Sequence, residues 1–340
     1  MDTELTFERK AYICQNSTES IRKGSTSGGV FTAIAKYVLD LGGVVFGAAF
    51  DDQFHVVHRW TDTFEGLSAF RGSKYVQSHM GTSFHEVKQI LDSGRWVLFT
   101  GTPCQVQGVR NYLRKAYDNL VLMDIVCYSI SSPGVWEQYL RHLEKKEIVK
   151  RHEIDHIKFR DKTRYGYEYT LMTFYDKDGK ELYASGPESN QMLRSFVSNT
   201  ATRPSCYHCP CKSVERVSDF TVWDCYNVYQ YDRSWDDNKG TSHVIVQSEK
   251  GARIWPELSK SLRTKEVDLQ FAVASEPAMT ECASASDDRD AFFSALANST
   301  NGELFDRYFQ DSARVKVERI ARKILSKTGL YRKAKRMIKR

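Results

Sequence analysis

The chain has 340 residues, 41% hydrophobic and 12% aromatic, which suits one large or two ordinary domains with a sizeable core and excludes disorder throughout. The opening MDTELTFERKAYICQ has no apolar signal core, and no stretch approaches the roughly 18 consecutive apolar residues of a membrane span, so the sequence reads as cytoplasmic. The net charge of +6 is concentrated: Arg314 to Arg340 hold twelve Lys/Arg against Glu318 alone, and the remainder carries −5.

In chain order, GSTSGGVFTAIAKYVLDLGGVVFGAAF predicts a Ser/Gly loop and then a helix over about 28–41, with Val30, Ile34, Tyr37 and Val38 on one face. A Gly42-Gly43 stop and a buried strand over 44–50 follow. The unit repeats as a helix over 83–92, a strand WVLFT over 96–100, a helix from Pro103 to about Lys115, a strand LVLMDIV over 120–126, and a helix opened by Ser132 and Pro133. Strand, helix and strand joined by short loops predict a parallel sheet with right-handed crossovers. Later, YEYTLMTFYDKDGKELYAS reads as a hairpin around Asp178-Gly179, and HVIVQSEKGARIW as a strand, a turn at Gly251 and a helix start. The fold class expected is α/β with a mixed α+β elaboration, a partly parallel sheet with flanking helices. Residues 10–150 form the α/β part, 151–310 the mixed part and 311–340 a basic arm. In that arm Ile320, Ile324, Tyr331, Ala334 and Ile338 recur at near-helical spacing between cations, with a break at Gly329. This amphipathic basic helix suits either solubilisation with light packing or docking to an anionic membrane surface. No basic, aromatic-interleaved patch accompanies it, so nucleic acid is not an expected partner.

In a reducing compartment the eight cysteines are buried small side chains, reactive thiols or metal ligands. The strand 96–100 ends four residues before Cys104 and the strand 120–126 ends just before Cys127. Both thiols should therefore stand at the carboxyl edge of neighbouring parallel strands, where open α/β sheets hold ligands. Thr102 as cap and Pro103 in the first turn put Cys104 at a positive helix end, which favours the thiolate that a metal requires. Cys206 and Cys209 form a C-x2-C that completes a four-cysteine site, with Cys211 and Cys225 nearby as reserves. Four thiolates suit zinc and iron–sulfur alike. In the plainer alternative, Cys104 and Cys127 are ordinary buried residues and the C-x2-C alone carries chemistry. Pro210 after Cys209 disfavours a thioredoxin-like site. The histidines show no metal spacing, and neither G-x-G-x-x-G nor a Walker A sequence occurs. Phosphate can still be held where Gly24 to Gly29 feed Ser25, Ser27, Gly28 and Gly29 into a helix N-terminus. In RGSKYVQS, Ser73, Lys74, Gln77 and Ser78 are polar groups suited to a flavin or its phosphates; otherwise the stretch is a surface turn and strand.

The segments STSGGVFT, GGVVFGAAF, GSKYVQS, LFTGTPCQV, LMDIVCYSISSPGVWEQYL, CYHC, RVSDFTVWD and DDNKGTSHVIV together resemble the coenzyme F420 hydrogenase/dehydrogenase beta subunit family, which includes bacterial proteins encoded beside polysaccharide-synthesis genes. The resemblance covers about residues 10 to 300. It implies an iron–sulfur flavoprotein oxidoreductase subunit. FAD is bound noncovalently by Ser25, Ser27, Gly28, Gly29, Gly72, Ser73, Lys74, Tyr75, Gln77 and Ser78, with Thr102 and Gln105 adjoining. A 4Fe-4S cluster is held by Cys104, Cys127, Cys206 and Cys209. Lys74 is the catalytic candidate, placed to stabilise an anionic reduced flavin. The clustered cysteines of a ferredoxin-like domain do not occur, so electrons are expected from a ferredoxin or another electron-transfer protein, passed to a small-molecule substrate, with polysaccharide biosynthesis as the context. The competing reading is a non-redox scaffold or binding protein that keeps a structural metal on the same four cysteines.

Overall fold

The computed structural model describes residues 7–298, 303–328, 330, 331 and 334. Among them the strands are β1 (Lys10–Asn16), β2 (Val44–Phe50), β3 (Val56–Thr61), β4 (Val97–Gly101), β5 (Leu120–Ile125), β6 (His156–Asp161), β7 (Leu171–Tyr175), β8 (Glu181–Ser185), β9 (Phe220–Asp224), β10 (Ser242–Val246) and β11 (Leu262–Val267). Two compact units emerge. One is formed by the described residues within 1–71, 78–128 and 208–282, the other by those within 72–77, 129–207 and 283–340. Both draw on segments from either side of residue 150.

The first unit is built on an eight-stranded sheet in the order β11-β1-β10-β9-β5-β4-β2-β3. Its centre, β2, β4, β5 and β9, is parallel, and the remaining pairings are antiparallel. The apolar runs of the central strands alternate between two covered faces. Val45, Leu98 and Val121 pack with Val30, Ile34 and Val38 of the helix Val30–Asp40 and with Trp255 and Leu258 of the helix Glu249–Leu258. On the opposite face Val44, Phe46, Val97, Phe99, Leu120 and Leu122 pack with Val87 and Leu91 of Ser83–Asp92 and with Val106, Val109 and Leu113 of Pro103–Leu113. A strand buried on both faces needs apolar residues at every position, which is why these segments read as continuous runs.

The expected α/β class and partly parallel sheet are present. Several boundaries shift: the helix expected over 28–41 runs Val30–Asp40, the strand expected over 96–100 runs Val97–Gly101, the strand expected over 120–126 ends at Ile125, and the helix expected to reach Lys115 ends at Leu113 with Arg114 left-handed at φ 57°. Gly251 is not a turn. It lies inside Glu249–Leu258, where its N–H donates to the Ser248 cap at 2.9 Å and an added Cβ would meet the Asp219 carbonyl oxygen at 2.7 Å. Close approach to that backbone, not a chain reversal, explains this glycine.

In the second unit β6, β7 and β8 form an antiparallel sheet, with the expected hairpin turning at Gly179, φ +75°. The helix Pro133–Lys145 starts where Ser132 and Pro133 predict it. The C-terminal helix forms over Ala313–Lys327; the expected break at Gly329 and the apolar position Ile338 lie outside the described residues. No helix among the described residues is long and apolar enough to cross a membrane.

Candidate functional site: the carboxyl edge of the parallel strands

The turn after β4 is fixed by a chain of hydrogen bonds. Gln105 Oε1 accepts from the Thr102 N–H at 2.9 Å, closing the first turn of Pro103–Leu113, and Gln105 Nε2 donates to Ser78 Oγ at 2.7 Å. Ser78 Oγ is 2.8 Å from His58 Nδ1, and His58 Nε2 faces the Thr100 carbonyl at 2.9 Å. A ring nitrogen opposite a carbonyl must carry the proton, so Nδ1 accepts from Ser78. His58 is buried and stacks on Phe99 at 5.3 Å; it locks the loop that carries Cys104 and was not singled out by sequence. Cys104 is exposed, with its Sγ 3.2 Å from Thr102 Oγ1.

A second device fixes the turn that follows Cys209 and Cys211. Lys212 Nζ donates to the carbonyls of Cys127 at 2.6 Å and Ala278 at 2.7 Å, tying the turn that follows Cys209 and Cys211 to the end of β5. Burial pushes the Cys211 thiol up to about 11, and the neighbouring Cys209 and Cys104 thiols add to the shift. Cys104 and Cys209 each lie within electrostatic reach of Cys211. Cys282 Sγ lies 3.7 Å from the Cys209 carbonyl oxygen. Cys206 sits in the 3-10 turn Pro204–His208, in a stretch belonging to the other unit. Cys14 and Cys225 are buried away from solvent, and burial raises both thiols, as expected of core cysteines. Near the end of β5, buried Asp124 has its carboxyl pushed up to about 6 by burial, against the lowering influence of Arg216, 3.8 Å away, and of the Ser218 hydroxyl.

The Ser25–Gly29 loop is clamped between β1 and β10. Ser25 Oγ donates to the Ile21 carbonyl at 2.7 Å, Ser27 Oγ is 2.7 Å from Ser242 Oγ, and the Gly28 N–H donates to Ser242 Oγ at 2.9 Å. The Gly28 carbonyl accepts from the Asn16 N–H at 2.7 Å. Gly29, at φ +84°, is the N-cap of Val30–Asp40 and brings no side-chain cap, so the first-turn N–H groups point out of the helix uncovered by one. Arg71 reaches this turn, its Nε donating to Thr32 Oγ1 at 3.1 Å, and burial lowers its pKa. A guanidinium beside a helix N-terminus is a phosphate-favouring arrangement. Arg71 stands directly before GSKYVQS, the one sequence signal that could have marked it.

Of the remaining sequence candidates, Gly72 to Gln77 belong to the second unit. Gly72 is left-handed at φ +85°, and Lys74 Nζ lies 3.3 Å from its carbonyl oxygen. Tyr75 stacks on Phe196 with centroids 4.6 Å apart, and the Gln77 N–H donates to the Ser131 carbonyl at 2.9 Å. Ser73 lies between Gly72 and Lys74 in the same stretch.

Comparisons with known proteins agree with this architecture. The model of the coenzyme F420 hydrogenase/dehydrogenase beta subunit N-terminal part matches residues 11–84, and that of its C-terminal part matches residues 94–270. A solved chain from the xenon-derivatised F420-reducing NiFe hydrogenase complex of Methanosarcina barkeri aligns with a TM-score of 0.53 at 17% identity, over 86% of this chain and 94% of that one, a likeness of fold. No curated protein matches the chain. An open sheet with thiols at its carboxyl edge, matched by both parts of one family over most of its length, leaves one assignment: the chain belongs to the coenzyme F420 hydrogenase/dehydrogenase beta subunit family of oxidoreductase-type subunits.

Proposed function

We propose that the chain is an iron–sulfur flavoprotein subunit that passes electrons between a ferredoxin-type partner and a small reducible substrate; polysaccharide assembly as the context rests on the resemblance alone. The observation that carries this is that Cys211 feels both Cys209 and Cys104, while Lys212 ties the turn after Cys209 and Cys211 to Cys127 at the end of β5. Among the described residues no three His, Cys, Asp or Glu side chains are set to hold a single metal ion. Four cysteine thiolates are the ligand set of a four-iron cluster. Cys104, Cys127, Cys206 and Cys209 are the proposed ligands. For FAD the fit lies in the uncapped first turn of Val30–Asp40 and in Arg71, which would take the phosphates, with Ser78, Thr102 and Gln105 adjoining. Bound together, the flavin supplies two-electron and the cluster one-electron chemistry.

The chain's own residues prepare this. Thr102 Oγ1 donates to Gln105 Oε1 at 3.1 Å and lies 3.2 Å from the Cys104 sulfur, and so fixes the position of that sulfur at the helix start. Lys74, on a turn held by its own backbone contact, is proposed to stabilise an anionic reduced flavin. Anaerobic purification with iron, acid-labile sulfide and released FAD counted per chain tests the reading. About four irons and one FAD are expected, with Cys104→Ala losing the iron while keeping its FAD and its melting transition. Zinc or no metal, together with no FAD after reconstitution, would leave the non-redox scaffold.

We also propose a peripheral membrane contact. Val317, Ile320 and Ile324 on Ala313–Lys327 are 67%, 59% and 56% exposed, flanked by exposed Arg314 and Lys316. An exposed apolar stripe edged by cations suits an anionic lipid surface. Co-flotation with phosphatidylserine-containing vesicles, lost in Ile320→Asp/Ile324→Asp, is expected; equal flotation of that variant would overturn the assignment.

A further inference from the structure

The second unit contains a cavity of about 630 Å³, bounded by β7, β8, the helix Pro133–Lys145 and the start of the C-terminal helix. This is within the roughly 300–1,000 Å³ of small-molecule sites. Its charges are already paired with one another: Lys146 with Asp306 at 2.7 Å, Arg319 with Asp311, and Arg164 with Glu181. Two buried polar atoms of the lining have no hydrogen-bond partner among the described residues, Arg319 Nε and Glu188 Oε2. The Glu188 side chain is 4% exposed, its Oε1 accepts from the Tyr169 hydroxyl at 2.8 Å, and its buried Oε2 has no hydrogen-bond partner among the described residues. Arg322 stands 4.0 Å from Oε2 and is committed to Glu318. Gly186 makes room for this arrangement, since a Cβ there would meet the Tyr169 hydroxyl at 2.3 Å. A buried carboxylate oxygen left without a donor costs free energy that an O–H or N–H from a ligand recovers.

We propose that this cavity binds a neutral, hydroxyl-bearing ring of the monosaccharide class, with Glu188 Oε2 accepting a ligand hydroxyl and the Tyr165 and Tyr169 rings, 5.3 Å apart, offering apolar faces to its C–H surface. The lining cations are held in ion pairs rather than left for an anion, and tyrosine walls beside the buried open acceptor Glu188 Oε2 and the open donor Arg319 Nε match a ring whose edge is polar and whose faces are not. The inference stands on the second unit alone and does not rest on the redox reading.

Ligand-observed NMR and calorimetry on the full chain with glucose, galactose, rhamnose and N-acetylglucosamine test it, with glucosamine and glucuronate as charged comparisons. At least one neutral sugar should bind. Glu188→Gln, which keeps the volume but turns the open acceptor into a donor or loses its charge, should weaken it by about tenfold or more. Tyr169→Phe, which frees Glu188 from its anchor, should weaken it less, and the circular dichroism and melting transitions of both variants establish that they fold. Binding of none of the neutral sugars, of glucosamine or glucuronate only, or with affinity indifferent to both substitutions, would overturn the proposal.

Discussion

Gly28→Ala is expected to cost the eight-stranded unit at least about 3 kcal/mol, enough to abolish its cooperative unfolding transition at 37 °C in a marginal protein. An alanine Cβ at this position would lie 2.3 Å from the Cys14 carbonyl oxygen and 2.6 Å from the Ser242 backbone nitrogen. Both are backbone atoms, one in β1 and one in β10, which pair with each other through Cys14 and Ser242. Neither can move without breaking that ladder, so no rotamer change relieves the contact. The same methyl would displace the Gly28 N–H from Ser242 Oγ. Gly24→Ala is the control: nothing lies within 4 Å of its added Cβ. In the helix Glu19–Gly24 the change should be neutral or stabilising by up to about 1 kcal/mol. Urea denaturation followed by circular dichroism compares the two; equal midpoints would show that the close approach at Gly28 does not constrain the fold.

Arg22→Ala is expected to cost about 3 kcal/mol. The Arg22 side chain is 8% exposed; its Nη1 and Nη2 donate to the two Asp237 oxygens at 2.7 and 2.6 Å, and its Nε donates to the Gly240 carbonyl at 2.7 Å. One guanidinium thereby ties the short helix before the Ser/Gly loop to the turn entering β10. The carboxyl of Asp237 feels burial, which raises it, and the Arg22 and Lys239 contacts, which bring it below its ordinary value overall. A carboxyl lowered in the folded state stabilises the protein above its unfolded pKa and loses that contribution as pH falls through the folded one. Wild-type stability should therefore drop on acidification below about pH 4, and Arg22→Ala should flatten that part of the profile. An unchanged acid limb in the variant would mean that the pair contributes nothing measurable.

The helices Val30–Asp40, Ser83–Asp92, Pro103–Leu113 and Pro133–Lys145 and the parallel strands β2, β4 and β5 were legible because their segments are long, apolar and punctuated by Gly42-Gly43, Pro103 and Ser132-Pro133; the fourth parallel strand, β9, was not. The strands β1 and β11 were not. β11 is an edge strand with exposed Arg263, Thr264, Lys265 and Glu266, so it carries no apolar run, and β1 takes its identity from pairing with segments more than two hundred residues away. The cysteine at the helix start could be read from the strand, Thr102 and Pro103 around it. The residues that hold the site in place could not, because their partners are remote in sequence: His58 and Thr100 are 42 residues apart, Arg71 and Thr32 39, Lys212 and Cys127 85. Gly28 shows how one residue type supports two readings. Sequence offers it as a phosphate cradle, and packing alone already requires a glycine there.

An anaerobic titration of the reconstituted full chain with dithionite, counting electrons per chain while the visible spectrum is followed, tests the central proposal most directly. About three electrons are expected, two bleaching the flavin bands and one bleaching the broad cluster absorption, with Cys104→Ala taking up about two. Uptake of no electrons by a chain that binds neither FAD nor iron would contradict it.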